Sequence, residues 1–242
     1  MKNLRLSILA MLLLFGVAAC KKSDHMLSGN VSNTEAADMA ASSLSLNSNG
    51  IANVSDDVTF DADAYVNTHL ACGETKSDSI SRHKTTDLYS YIYNLKYNYM
   101  MNCNNSVPDN LTGSLTYSGS FSGPRLSSTN SGSATFVVAG LSPNATNFVI
   151  NGEYKRSGTF QSKTDTTNRG SYSVDIVVTN LKLTKPGRTI ASGTATISIT
   201  GDVAKKGSFS YAGTLVFNAD GTATLTLSGK VYIINLTIGD WD

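Results

Sequence analysis

A few residues in this chain have types and spacings that suit chemistry. His69, Cys72 and Glu74 lie within six positions and carry metal-binding side chains, but their spacing matches no known site. Asp56, Asp57, Asp61 and Asp63 crowd the run Ser55–Ala64, and close carboxylates can hold calcium. That run lacks the loop glycine and closing glutamate of an EF-hand, so it reads as a solvated acidic approach to the domain. His83 follows in the same polar stretch, and His25 stands alone near the start. No G-x-S-x-G, H-E-x-x-H or phosphate-binding loop occurs. Glu153 and Asp175 stand isolated in sequence and form no evident acid–base pair. The expectation is a protein without catalysis, cofactor or metal.

The strongest periodic signal is aromatic. Tyr89, Tyr91, Tyr93, Leu95, Tyr97, Tyr99, Met101 and Cys103 alternate with mostly polar residues, so one face of a long strand is buried. Exposed, Tyr89, Tyr91, Tyr93, Tyr97 and Tyr99 would make a platform for sugar rings or apolar ligands. Buried, they are half of a sheet's core with hydroxyls at its wet rim. Alternation alone favours burial.

The elements around this strand follow the same rule. Leu111, Leu115, Tyr117 and Phe121 continue a hairpin after the turn at Asn104–Asn110. Ala134–Phe136–Val138, Phe148 to Phe160, Tyr172–Val178, Ala195–Ile199 and Phe209–Phe217 each alternate. Leu181 and Leu183 sit on the opposite parity from Tyr172–Val178, which predicts a bulge near Thr179–Asn180. Asn218-Ala-Asp-Gly221 suits a hairpin loop with left-handed glycine, and Val231–Ile238 closes the chain. The fold class is all-β: an antiparallel meander of eight to ten strands closing as a barrel or two packed curved sheets. Ser23 to about Gly50, rich in Ser, Asn, Ala and Gly, reads as a flexible tether. Thr34–Ala41 has the makings of a short helical turn that nothing pins.

Composition narrows the partners. Net charge is +1, charged residues are 15%, and Ser and Thr together make about a quarter of the chain. No basic stripe suits nucleic acid. Polar faces here are built from hydroxyls and amides.

The first residues carry an address. Lys2 and Arg5 precede an apolar run, Leu6–Val17, too short for a membrane span of about 20 residues. It ends in Val17-Ala18-Ala19-Cys20, which resembles the lipobox of bacterial lipoproteins. The resemblance implies cleavage before Cys20, acylation of that cysteine, and an acyl (palmitate-type) anchor in a membrane. Lys21-Lys22-Ser23-Asp24 lacks the Asp directly after the cysteine that retains such proteins at the inner membrane. It resembles charged tags for surface display. The implied layout is a signal peptide at 1–19, a lipidated tether at 20–50 and one β domain at 51–242, at the outer membrane. With Cys20 lipidated, Cys72 and Cys103 remain, an even pair in an oxidising compartment. They are expected to form a disulfide that stabilises by about 3–4 kcal/mol.

The function expected is non-catalytic binding of a lipid, glycan or envelope partner. The alternatives are a purely structural or adhesive surface protein, and an envelope glycan or lipid hydrolase.

Overall fold

A computed structural model describes residues 31–241; the signal peptide, Cys20, Lys21–Asp24 and His25 lie outside it. Two helices come first, α1 (Asn33–Leu44) and α2 (Ile51–Asn67), joined through a single 3-10 turn, Leu46–Ser48. Ten strands follow: β1 (Thr75–Thr85), β2 (Ser90–Asn104), β3 (Val107–Ser122), β4 (Leu126–Ala139), β5 (Asn147–Ser162), β6 (Arg169–Thr184), β7 (Ile190–Val203), β8 (Gly207–Phe217), β9 (Thr222–Leu227) and β10 (Lys230–Asn235). They form one antiparallel sheet in chain order. β1 and β10 do not pair, so the meander stays open between its first and last strands.

The alternating pattern sets the two faces. From β2 to β9 the apolar parity is buried and the mostly polar parity is exposed; β10 buries Tyr232 and Ile234 and leaves Val231 and Ile233 exposed. Large rings lie over glycines on the neighbouring strand. A Cβ on Gly119 would sit 2.3 Å from Tyr93, and one on Gly201 2.4 Å from Phe209. The expected bulge is present. Register shifts between Thr179 and Lys182, and Asn180 adopts φ 51°, with its N–H donating to Asn151 Oδ1 at 2.9 Å. The loop Asn218–Gly221 turns as expected, with Gly221 at φ 81°.

The inner face of the curved sheet is filled by the helices. α1 lies against β6, β7, β9 and β10, and α2 against β4 and β5. Within the stretch that composition assigned to a tether, Asn33–Leu44 is therefore an ordered, buried helix. A capping box starts it: Ser32 Oγ accepts from Glu35 N–H, and Ser32 N–H donates to Glu35 Oε2 at 3.0 Å. Glu35 to Leu44 are all buried. A helix with protein on every side needs small side chains, and Ala36, Ala37, Ala40, Ala41, Ser42 and Ser43 supply them. Both serine hydroxyls donate to Met39 O at 2.9 Å, so burial leaves no hydroxyl stranded. Ser and Ala richness thus reflects close packing here, not flexibility.

α2 enters tightly. A Cβ on Gly50 would lie 2.5 Å from Leu44 C and 2.6 Å from Ser45 N, so only glycine lets the two helix ends meet. The C-terminus is pinned back onto α1. Trp241 Nε1 donates to Asp38 Oδ1 at 2.8 Å, Arg125 stacks on the indole at 4.0 Å, and Arg125 pairs with Asp240 at 3.3 Å. The Cys72–Cys103 disulfide ties the α2–β1 connection to the end of β2, with Cα atoms 5.6 Å apart.

Candidate functional site

The tyrosine series faces inward. Tyr93, Tyr97 and Tyr99 are buried beneath the helices, and only Tyr89 and Tyr91 remain half-exposed, stacked 6.4 Å apart. Tyr97 Oη donates to Asp57 Oδ2 at 2.6 Å and Tyr99 Oη to Asp61 Oδ2 at 2.5 Å. Arg82 on β1 forks onto the same Asp57 at 2.6 and 2.9 Å. Burial and then the facing carboxylates push both phenols far above their ordinary range, which keeps them as neutral donors. These tyrosines form the seam that holds α2 to β1 and β2, with no open platform at Tyr93, Tyr97 or Tyr99.

The acidic run is helical, so its carboxylates diverge. Asp57 and Asp61 take the partners just named, Asp56 pairs with Arg188 at 3.0 Å, and Asp63 accepts from Asn67. No group of three metal-binding side chains occurs among the described residues. Cys72 is consumed by the disulfide, and Glu74 turns to Lys76 at 3.0 Å and to Ala71 N–H. His69 and His83 are exposed and apart. Glu153 and Asp175, isolated in sequence, meet on the outer face of β5 and β6. Both reach Lys155, at 2.9 and 3.9 Å, and burial followed by the Glu153 charge raises Asp175. They stand on an open sheet surface and not in a cleft.

One polar centre escaped the sequence reading. Arg156 is fully buried on the inner face of β5. Its guanidinium donates to Ser42 O at 2.7 Å, Ser48 O at 2.6 Å, Asn49 O at 3.0 Å and Tyr154 Oη at 2.7 Å. A permanently charged group is thus stabilised by carbonyl dipoles at the end of α1 and the turn after it. The arrangement clamps the helix pair to the sheet. The hollow under α2, lined by Val54, Val58, Phe136 and Ile150, measures about 10 Å³, so helix and sheet pack closely there.

The space for a ligand is outside. Strand register aligns the outward residues into rows that cross the sheet. One row runs Ser81, Asn94, Ser118, Ser131, Ser157, Ser173, Thr200, Ser210. Neighbours within such rows bond: Ser81 Oγ donates to Asn94 Oδ1 at 2.7 Å, and Ser77 Oγ to Asn98 Oδ1 at 2.8 Å. At one end of the strands two rows frame a trough of about 910 Å³. His83, Ile92, Ser120, Thr129 and Thr159 form one wall. Thr85, Ser90, Ser122, Ser127, Gln161 and Arg169 form the other. It crosses from β1 to the Ala204 turn after β7, roughly 29 Å at ~4.8 Å per strand. Two smaller hollows, of about 470 and 450 Å³, continue along the same face of β1–β3. Alternation predicts that this face is mostly polar; Ile92, Met100, Val137, Val177 and Val216 are its exposed apolar exceptions.

Comparison with protein-family models, curated proteins and solved structures finds no match.

Proposed function

We propose that this is a lipid-anchored envelope protein that binds glycan, without catalysis, in the trough on the outer face of its sheet. The observation that carries the reading is the trough itself. It is long and open at the sides; its outward side chains are chiefly Ser, Thr and Gln, with His83, Ile92 and Arg169 among them, and Tyr91, Phe121 and Phe160 of the inward parity also line it. Rows of hydroxyls and amides suit a hydroxyl-rich, weakly charged polymer laid across the strands, one hydrogen bond at a time. The close packing of α2 on the inner face supports a ligand held outside the sheet. The anchor rests on the Cys20 lipobox, and no helix among the described residues is long and apolar enough to cross a membrane.

The test is co-sedimentation of the full chain, purified from membranes in detergent, with insoluble envelope polysaccharide. Its mass will show acyl chains on Cys20. The double variant Ser127→Glu/Thr129→Glu, in the middle of the trough, will lose binding by tenfold or more. Thr196→Glu, on the same face of β7 outside the trough, will retain it. Equal behaviour of the two variants, or binding that vanishes when the polysaccharide is stripped of protein, sinks the glycan reading.

A further inference from the structure

β1 is a free edge among the described residues, and its sequence is symmetric about its own centre. The strand reads Thr75-Lys-Ser-Asp-Ser-Ile80-Ser-Arg-His-Lys-Thr85. About Ile80, Ser79 mirrors Ser81, Lys76 mirrors Lys84 and Thr75 mirrors Thr85. The two departures from the mirror are Ser77 against His83 and Asp78 against Arg82. The second is the one departure that improves an antiparallel pairing, because it sets opposite charges across from each other.

The backbone agrees with that centre. Met101 N–H donates to Glu74 O and Thr86 N–H to Tyr89 O, in the register that pairs β1 with β2. Even-numbered residues of β1 therefore bond to β2. The N–H and C=O groups of Thr75, Ser77, Ser79, Ser81, His83 and Thr85 point to the open edge. A second copy running antiparallel about Ile80 brings odd residues opposite odd residues: Ser79 to Ser81, Ser77 to His83, Thr75 to Thr85. Every outward backbone group of the strand then finds a partner, the Ser79 N–H exchanging the Asp78 carboxylate for a carbonyl of the other copy. Asp78 and Arg82 of each copy become close, non-hydrogen-bonded neighbours of Arg82 and Asp78 of the other, the geometry in which side chains lie nearest; Arg82 keeps its fork onto Asp57 and meets Asp78 of the other copy through the guanidinium N–H groups that the fork does not use. Lys76 and Lys84 also face each other, but Lys76 is neutralised by Glu74 at 3.0 Å and Lys84 lies over the Tyr89 ring at 5.5 Å.

Charges on an edge strand ordinarily ward off strand addition. Here they repel an arbitrary strand and accept their own mirror image. We infer that β1 is a dimer interface. Two copies pair β1 to β1 in a two-fold antiparallel ladder centred on Ile80, joining both sheets into one. Such a two-fold contact is isologous and closes at two copies.

Sedimentation of the full chain in density-matched detergent tests this. The wild-type chain will run as a dimer at micromolar concentration. Ser79→Pro removes an outward N–H that makes no bond to β2 and in the single chain donates only to the neighbouring Asp78 Oδ1 at 2.7 Å, so it leaves the sheet intact and abolishes the dimer. Asp78→Lys turns both symmetry-related pairs into repulsions and weakens the dimer by roughly tenfold or more. Ile80→Cys, oxidised, will give a covalent dimer, because residue 80 alone faces its own copy across the ladder. A chain that stays monomeric throughout overturns the inference. So does a dimer indifferent to both Ser79→Pro and Asp78→Lys.

Discussion

Replacing Arg156 by Met removes the clamp between the sheet and the helix pair while keeping most of the side-chain volume. The guanidinium now serves the carbonyls of Ser42, Ser48 and Asn49 and the hydroxyl of Tyr154, all in the protein interior. Without it Ser48 O loses its guanidinium donor, while Ser42 O and Asn49 O keep only the hydroxyls of Ser48 and Tyr154, at about 1–3 kcal/mol for each charge-assisted bond lost. Relief from burying a charge with no facing carboxylate returns several kcal/mol. The balance expected is a loss of about 3–5 kcal/mol. For a chain of this size that corresponds to a fall in Tm of roughly 6–20 °C. Urea unfolding followed by circular dichroism measures the loss. Amide exchange locates it: α1 and the first turn of α2 should exchange faster while the central strands keep their protection. Arg156→Lys, with a point charge in place of the planar fork, should recover less than half of the stability. A loss below about 1 kcal/mol, or loosening spread evenly over the sheet, would refute the view of Arg156 as the fastener of the helices.

Two further outcomes follow from other parts of the molecule. Asp38 is buried, which together with nearby Glu35 and Asp240 outweighs its bond from Trp241 and the pull of Arg125 and raises its pKa to about 6. Because this lies above the unfolded value of about 3.9, the native state holds the extra proton between the two, and stability falls as pH rises through that window. The cost is complete above about pH 6 and amounts to about 3 kcal/mol. Asp38→Asn keeps an acceptor for Trp241 without the charge. It should stabilise the protein by about 1–3 kcal/mol at pH 8 and flatten the slope between pH 4 and 6, as read from urea midpoints; a destabilised variant at pH 8 would contradict this. The disulfide closes a loop with a sequence separation of 31. The Cys72→Ser/Cys103→Ser chain should lose about 3–4 kcal/mol in the same assay on the chain-entropy account, and a change under 1 kcal/mol would exclude it.

Much of the sheet is legible in the sequence because a half-buried strand must alternate, and each polar break must be a turn. The inward parity of β2 through β9, the bulge at Asn180, the loop before Thr222 and the cysteine pair all follow from local pattern or simple arithmetic. Tyr93, Tyr97 and Tyr99 are readable as core for the same reason. β1 is not readable in that way. It lies at an edge with polar residues on both faces, so no periodicity marks it and only its pairing with β2 makes it a strand. α1 is hidden for the opposite reason: enclosed by protein on all sides, it needs small residues everywhere and shows no polar face. The Asp run conceals α2, whose carboxylates find Arg82, Tyr97, Tyr99 and Arg188 only once distant strands arrive.

Local sequence therefore determined where the chain alternates, where it turns and which side of each strand meets the core, since those depend on neighbours two to four residues away. The tertiary structure alone decided that the N-terminal segment plugs the inner face, that Arg156 fastens it, and that rows of hydroxyls from separate strands align into one trough. Each of these joins groups tens of residues apart, and sequence spacing carries no record of such distances until the sheet has curved.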